Sequence, residues 1–260
     1  MRFPTTNIKG IRLERVARIP TPEAAVFYTL KELNDGTFEA FYRQRYDTQV
    51  IGRCLIDPTT WNIIEDHGAV CPGEDPRSLT HQGIDYLVDN SWGSSSLIIP
   101  EDDYRVCRLP SKGKNLTLIS HGRELLCIEW FRPLSILSTI ESPYPENWKR
   151  LGRERANDDY TLRGGTPGYG TPKEGVYVGF GHRTIASLEN VTHTPFAWRL
   201  DCAQWELLVE DVAGNFERAI TDPTCVIQHD GRLFLVTAES HLPWFGRVQE
   251  FFTCVDEIKT

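Results

Sequence analysis

A repeated turn signal constrains the fold of this chain more than any other feature of its sequence. Five times, a polar residue and a glycine separate two short apolar runs, a pattern that indicates a tight hairpin because the turn needs a positive φ. Successive glycines are 47, 39, 53 and 56 residues apart, at Gly36, Gly83, Gly122, Gly175 and Gly231. This spacing predicts five similar units of about 50 residues, each built around one hairpin.

Units of this length, with about four strands each, are typical of β-propeller blades. Five of them fill the 260 residues with little left over, and the 20 Gly and 16 Pro are spread too widely for helical periodicity. The sequence therefore predicts an all-β fold, in which residues 1–260 form a single five-bladed β-propeller domain with a central axial active-site funnel. A β-sandwich with coincidental turn spacing is the alternative.

The charge balance excludes some classes of partner. The chain has 28 Lys and Arg against 36 Asp and Glu, which gives a net charge of −8, whereas a nucleic-acid-binding protein would show a basic face. No apolar run approaches the roughly 20 residues that span a bilayer, and the amino terminus has no apolar signal core. We expect neither a nucleic-acid partner nor a membrane partner.

The seven cysteines lack C-x-x-C spacing, which fits a reducing compartment in which they act as small buried hydrophobes. The sequence thus predicts a cytoplasmic protein. The seven histidines include no H-x-x-x-H pair, so no metal site and no cofactor are predicted.

Charged residues recur where the strands of the predicted units begin and end. In a propeller the first strand of each blade runs closest to the axis, so residues at its entrance face the axial cavity. Such entrances carry Asp75-Pro76, Lys114-Asn115, Arg163-Gly164-Gly165 and Asp222-Pro223. Together these positions predict one polar funnel at the axis.

The chain resembles glycoside hydrolase family 130 and its relative glycosyltransferase family 108 over roughly residues 34–245. These families are five-bladed propellers that act on β-mannosides, most of them as inverting phosphorylases. The resemblance begins at the Gly-Glu-Asp-Pro-Arg segment of residues 73–77. It continues through Lys114-Asn115, the Trp-Phe-Arg-Pro segment of residues 130–133, the Arg-Gly-Gly-Thr-Pro segment of residues 163–167 and residues 177–183.

The resemblance implies that Asp75 is the general acid, whose proton reaches the glycosidic oxygen through a sugar hydroxyl while phosphate attacks from the other face. No second carboxylate is then needed, unlike in ordinary inverting glycosidases. Such an acid must stay protonated near neutral pH, which requires partial burial or a nearby carboxylate such as Glu74. The residues alone also allow Asp75 to cap a turn before Pro76.

The resemblance also implies two sets of binding residues. A phosphate dianion needs several convergent donors, and Arg can bind it through two hydrogen bonds. The implied phosphate-binding residues are Lys114, Asn115, Arg132, Arg163, His182 and Arg183. The implied sugar-binding residues are Arg43, Gln49, Glu74, Arg77, Glu239 and Trp92, where Gln49 replaces a family arginine and Glu239 a family aspartate. Trp130 and Trp244 are further candidates for stacking against a sugar ring.

These residues predict an enzyme that cleaves or forms β-mannosidic bonds, with inorganic phosphate or mannose 1-phosphate as co-substrate. A β-mannoside hydrolase on the same scaffold is one alternative, and a non-catalytic glycan-binding propeller is another. The expected partner is a small carbohydrate, and the compact chain favours a monomer or simple dimer.

Overall fold

A computed structural model describes residues 1–22, 24–91, 93–111, 113–152, 161–187, 190–214, 219–241 and 250–260. The fold is all-β: these ranges contain 21 strands, a short 3₁₀ turn at Pro100–Asp102, and no α-helix. Accordingly, none of these ranges offers a helix long and apolar enough to cross a membrane. All seven cysteines are buried and free, as the sequence predicts.

Strand β1 (Arg12–Ile19) is followed by three consecutive four-stranded antiparallel sheets. The first contains β2 (Val26–Glu32), β3 (Phe38–Arg43), β4 (Val50–Ile56) and β5 (Ile63–Pro72). The second contains β6 (Arg77–His81), β7 (Ile84–Asp89), β8 (Ser96–Ile99) and β9 (Arg105–Arg108). The third contains β10 (Thr117–His121), β11 (Glu124–Phe131), β12 (Leu134–Thr139) and β13 (Lys149–Gly152).

The remaining strands form two antiparallel groups. The fourth group contains β14 (Leu162–Gly164), β15 (Tyr169–Gly170), β16 (Val176–Ala186), β17 (Val191–Asp201) and β18 (Glu206–Asp211). The fifth contains β19 (Ile220–His229), β20 (Arg232–Ser240) and β21 (Phe251–Lys259), and β1 pairs with β21 at its edge. A single parallel residue pair, His193 with Ile220, joins these two groups into one nine-stranded sheet, so hydrogen bonding gives four sheets where five separate ones are predicted.

The five predicted hairpin turns are confirmed. Each turn joins two antiparallel strands within one group, and its glycine has a φ between 57° and 87°. A Cβ atom added at any of these glycines would meet nothing within 4 Å. Glycine is therefore used here for its backbone conformation and not for space.

The core lies between neighbouring groups of strands. Phe41 and Leu87 belong to the cluster that joins the first and second groups, and other buried clusters join the second to the third and the third to the fourth. Val178 and Leu235 share a cluster between the fourth and fifth groups. A further cluster packs Tyr28 and other residues of the first group against the fifth. Each group of strands thus buries apolar side chains against the groups before and after it.

Two glycines of the fourth group let inner strands approach each other closely. A Cβ atom on Gly164 would collide with the carbonyl oxygen of Asn115, and one on Gly165 would lie 2.8 Å from that of Pro223. The Gly-Gly pair therefore packs against backbone from the third and fifth groups, which brings the starts of their first strands together.

We expect Gly164→Ala to lower the free energy of unfolding by about 1–3 kcal/mol, because a backbone carbonyl cannot move aside without strain. Gly170→Ala is the matched control, since the nearest atom to its added Cβ is 4.0 Å away and its φ is not positive. Urea denaturation of both variants measures the difference. Equal stabilities would contradict the close-approach explanation.

Candidate functional site

The loop of residues 73–77, which leads from β5 into β6, is held by hydrogen bonds to the side chains of Asp89 and Asn90. The Glu74 amide donates to Asp89 Oδ1 at 2.9 Å, and Asn90 Nδ2 donates to the Asp75 carbonyl at 2.8 Å. Asp75 has a φ of 49°, a left-handed conformation that Asp tolerates better than most residues. The loop holds the carboxylates of Glu74 and Asp75 at the end of the sheet where β6 begins.

Four charged side chains from three groups of strands meet at this loop, and we call them the Asp75 cluster: Arg43, Glu74, Asp75 and Lys114. Arg43 Nη1 lies 2.9 Å from Asp75 Oδ1 and 3.1 Å from Glu74 Oε2. Lys114 Nζ lies 3.5 Å from Asp75 Oδ2 and 3.6 Å from Glu74 Oε2. The two carboxylates are thus matched by two cations, and only Lys114 among the four is more than slightly exposed.

Gln49 and Tyr46 border the Asp75 cluster. Gln49 Nε2 donates to Glu74 Oε1 at 3.0 Å. The Arg43 guanidinium lies over the Tyr46 ring, 5.0 Å from its centroid, and this ring stacks on Phe251 at 4.9 Å. Burial, followed by the charge of Asp75, raises the pKa of Tyr46. Tyr46 and Phe251 therefore form an aromatic pair beside the Asp75 cluster. Neither residue is indicated by the sequence.

Arg77 faces the interior and supports the loop from behind. Its Nε donates to the Gly165 carbonyl at 2.7 Å, and its Nη1 donates to the carbonyls of Asp75 and Pro76 at 3.1 and 2.9 Å. Burial lowers the pKa of Arg77, although Asp75 and Asp222 oppose the shift. The structure thus gives Arg77 a positioning role for this loop, and the sugar contact that the resemblance implies stays a prediction.

A second polar cluster lies where the fourth and fifth groups meet, and we call it the His–Asp cluster: His182, His193 and Asp222. His193 Nδ1 is 2.6 Å from Asp222 Oδ1, and His182 Nδ1 is 3.4 Å from the same oxygen. The two imidazole rings stack with centroids 4.4 Å apart. Asn115 Nδ2 lies 3.4 Å from His182 Nε2, which connects this cluster to the segment that carries Lys114.

Burial and neighbouring charges shift the pKa values of His182 and Asp222. Burial lowers the pKa of His182 well below its ordinary value, against the opposing charge of Asp222. Burial also acts to raise the pKa of Asp222, but the two histidines and Arg77 outweigh it and lower that pKa. At neutral pH His182 is therefore a neutral imidazole and Asp222 a carboxylate, so His182 brings no positive charge to a phosphate.

The structure places some of the predicted phosphate-binding residues close to one another and others apart. Lys114 and Asn115 are adjacent, and Arg163 pairs in register with His182 and acts on its pKa. Arg132 is exposed in the turn between β11 and β12. Arg183 instead pairs with Asp211 at 3.1 Å on the surface, because successive residues of a strand point to opposite faces.

Glu239 lies near the end of β20. Glu239 is buried in the fifth group, where it pairs with Arg15 from β1 and accepts a hydrogen bond from Thr237 at 3.0 Å. Its carboxylate is therefore engaged within its own group of strands. Trp130 is buried, and Trp92 and Trp244 lie outside the described residues.

A cavity of about 1130 Å³ opens at the opposite end of the first strands, near the hairpin turns. Lys31, Thr80, Ser120 and Gln228 are among the residues that line it. None of the predicted site residues that the structure describes borders this cavity. The predicted site residues that the structure describes therefore lie outside this cavity.

No protein-family model and no curated protein sequence matches the chain. Among solved structures, the chain is similar to an endo-1,4-β-xylanase from Bacteroides thetaiotaomicron, with a TM-score of 0.60 and 10% identity over 92% of this chain and 95% of that one. It is also similar to an exo-1,5-α-L-arabinanase from a bovine ruminal metagenomic library, with a TM-score of 0.55 and 12% identity over 91% and 93% of the two chains. The native arabinanase of Bacillus subtilis is similar as well, with a TM-score of 0.56 and 10% identity over 91% of this chain and 95% of that one.

These similarities show the fold: the chain is an all-β protein of the β-propeller class. The predicted propeller class is thereby confirmed. The number of blades and the resemblance to family 130 stay predictions.

Proposed function

We propose that this chain is a carbohydrate-active enzyme whose active site is the Asp75 cluster. The observation that carries the proposal is the convergence of Arg43, Lys114 and two buried carboxylates where the first strands of the groups begin. The solved structures similar to this chain include enzymes named for arabinan and xylan, which supports a sugar substrate. The aromatic rings of Tyr46 and Phe251 lie beside this cluster, and sugar rings pack against aromatic side chains.

The five groups of strands are, in this proposal, five blades of one domain around a common axis. The buried clusters between successive groups support this arrangement, because they join each group to the next and the fifth to the first. The Asp75 cluster and the His–Asp cluster then lie at one mouth of the axial funnel. Arg77 supports that geometry, since it bonds the loop before β6 to Gly165 of the fourth group.

The proposed reaction is inverting phosphorolysis of a β-mannoside. A phosphate oxygen forms a bond to the anomeric carbon while the glycosidic carbon–oxygen bond breaks on the opposite face. Asp75 delivers a proton through a sugar hydroxyl to the leaving oxygen, which gives mannose 1-phosphate and a shortened sugar. In the free protein Asp75 is an ion-pair partner of Arg43 and Lys114. An arriving phosphate competes with Asp75 for Lys114.

A specific observation favours phosphate over water as the nucleophile. An inverting hydrolase needs a second carboxylate as base, several ångströms from the acid. Among the described residues Asp222 is one candidate, but it is buried and its Oδ1 already binds His193 at 2.6 Å. Lys114, Asn115 and Arg163 instead supply donors of the type that a phosphate needs.

The proposal is tested by incubating the protein with mannose 1-phosphate and mannose acceptors and measuring released phosphate. We expect phosphate release that depends on the acceptor and yields a β-mannosidic product. Phosphate release in the absence of an acceptor would instead indicate hydrolysis of mannose 1-phosphate. No reaction with any acceptor in either direction would favour a glycan-binding propeller without activity.

We expect Arg163→Ala to raise the KM for phosphate by about 10- to 100-fold, because it removes a charge-assisted contact worth about 1.5–3 kcal/mol. The KM for the sugar should change far less. Arg183→Ala is the matched control, since Arg183 pairs with Asp211 on the surface. Steady-state kinetics with varied phosphate measures both, and equal effects of the two changes would contradict the assignment.

A further inference from the structure

We propose that the His–Asp cluster binds one divalent transition-metal ion of the zinc class, through His182, His193 and Asp222. The three ligand atoms lie within 4.8 Å of one another. This inference does not rest on the proposed mannoside chemistry, because it depends only on these three side chains and on Asn115 beside them.

The spacing of the ligand atoms fits a small tetrahedral ion. Bonds of about 2.0–2.1 Å at tetrahedral angles place ligand atoms about 3.4 Å apart. His182 Nδ1 and Asp222 Oδ1 are 3.4 Å apart, and the 2.6 Å hydrogen bond between His193 and Asp222 would lengthen by less than 1 Å. The ligand nitrogens of the two histidines are within 4.8 Å of each other, and ion binding would bring them toward 3.4 Å.

An unpartnered buried atom points to a missing ligand. His182 is completely buried, and its Nδ1 has no hydrogen-bond partner in the described part of the chain. The hydrogen bond between His193 and Asp222 explains why those two residues lie together, whereas His182 Nδ1 lies 3.4 Å from Asp222 Oδ1 without the geometry of a hydrogen bond. Buried polar atoms are nearly always satisfied, so a ligand that accepts the lone pair of His182 accounts for the arrangement.

The chemistry of the donor set agrees with that geometry. Metal ligation needs neutral imidazole nitrogens and an ionised carboxylate, and the His–Asp cluster offers two imidazoles and one carboxylate. Two imidazole nitrogens with one carboxylate oxygen suit zinc and its first-row neighbours, whereas calcium and magnesium prefer oxygen ligands.

Asn115 supplies the outer contact that metal-binding histidines usually have. Its amide lies 3.4 Å from His182 Nε2. With the amide oxygen turned toward the ring, Asn115 accepts the Nε2 proton and leaves Nδ1 free to bind the ion. Three protein ligands leave a fourth coordination position for water or another small ligand.

Titration of the metal-free protein with Zn²⁺, followed by calorimetry and metal analysis after dialysis, tests the proposal. We expect one equivalent per chain and a rise in Tm with Zn²⁺ concentration. His193→Ala should weaken zinc binding by more than about 100-fold, since even outer contacts contribute 10- to 100-fold. His67→Ala is the control, because His67 lies in β5 beside Glu65 and outside the cluster.

Cobalt binding to the unaltered protein provides a second test, which does not require any variant to fold. Co²⁺ bound to the unaltered protein should give the visible absorption of a four-coordinate nitrogen and oxygen site, displaced by one equivalent of Zn²⁺. Lack of stoichiometric Zn²⁺ binding by the unaltered protein would overturn the proposal. The proposal would also be overturned if His67→Ala abolished Zn²⁺ binding, or if a folded His193→Ala variant retained it.

Discussion

Asp75→Asn is expected to lower the turnover of mannose 1-phosphate with a mannose acceptor by about 10²- to 10⁴-fold. Asparagine keeps the shape of the side chain and its contact with Arg43, but it cannot deliver a proton. Substrate binding should survive, because an amide can still hold a sugar hydroxyl. Specific activity and thermal unfolding, measured on the same preparation, check this expectation.

Glu74→Gln is the matched control for Asp75→Asn. Both changes remove one negative charge from the Asp75 cluster, and both carboxylates contact the same two cations. If Asp75 is the general acid, Glu74→Gln reduces turnover much less. If Asp75 only caps a turn, Asp75→Asn costs about 0.5–2 kcal/mol of stability and leaves turnover per folded molecule near normal. That outcome would end the catalytic assignment.

Arg43→Met is expected to lower the free energy of unfolding by about 3–5 kcal/mol, the largest stability effect in this account. Arg43, Glu74 and Asp75 are all buried, so removal of the arginine leaves two buried carboxylates with Lys114 as their remaining cationic contact in the cluster. The loss of the bond from Arg43 Nε to the Thr48 carbonyl adds to the cost. Chemical denaturation measures the change.

Lys114→Met should cost less than Arg43→Met. The Lys114 side chain is 20% exposed, and its ion pairs are longer, at 3.5 and 3.6 Å. The double variant Arg43→Met with Glu74→Gln should recover part of the lost stability, because it removes one of the uncompensated charges. Equal losses for the two single variants, with no recovery in the double variant, would show that burial does not decide the energetics of this cluster.

The sequence predicts the local features of the fold well. A polar residue and glycine between apolar runs specify a hairpin through backbone conformation alone, which explains why all five turns are found where predicted. The sequence also places four charged residues at strand ends in the first three groups. Arg43 ends β3, Glu74 and Asp75 precede β6, and Lys114 precedes β10. Their convergence follows from those positions, and the structure brings the four together.

Features that depend on pairing between distant strands are not visible in the sequence. His193 has no local signal, and it reaches Asp222 because β17 and β19 meet at one parallel residue pair. Arg183 is adjacent to His182 in sequence, but it lies on the other face of β16 and pairs with Asp211. The sequence also gives no sign of the three carbonyl groups to which Arg77 donates hydrogen bonds.

Incubation of the unaltered protein with β-mannobiose, with and without inorganic phosphate, tests the central claim most directly. We expect cleavage only with phosphate, and ³¹P NMR should show α-mannose 1-phosphate as the inverted product in an amount equal to the mannose released. Cleavage to mannose at the same rate without phosphate would contradict phosphorolysis and make the chain a hydrolase. An intact disaccharide under both conditions would contradict the assignment of β-mannoside chemistry to the Asp75 cluster.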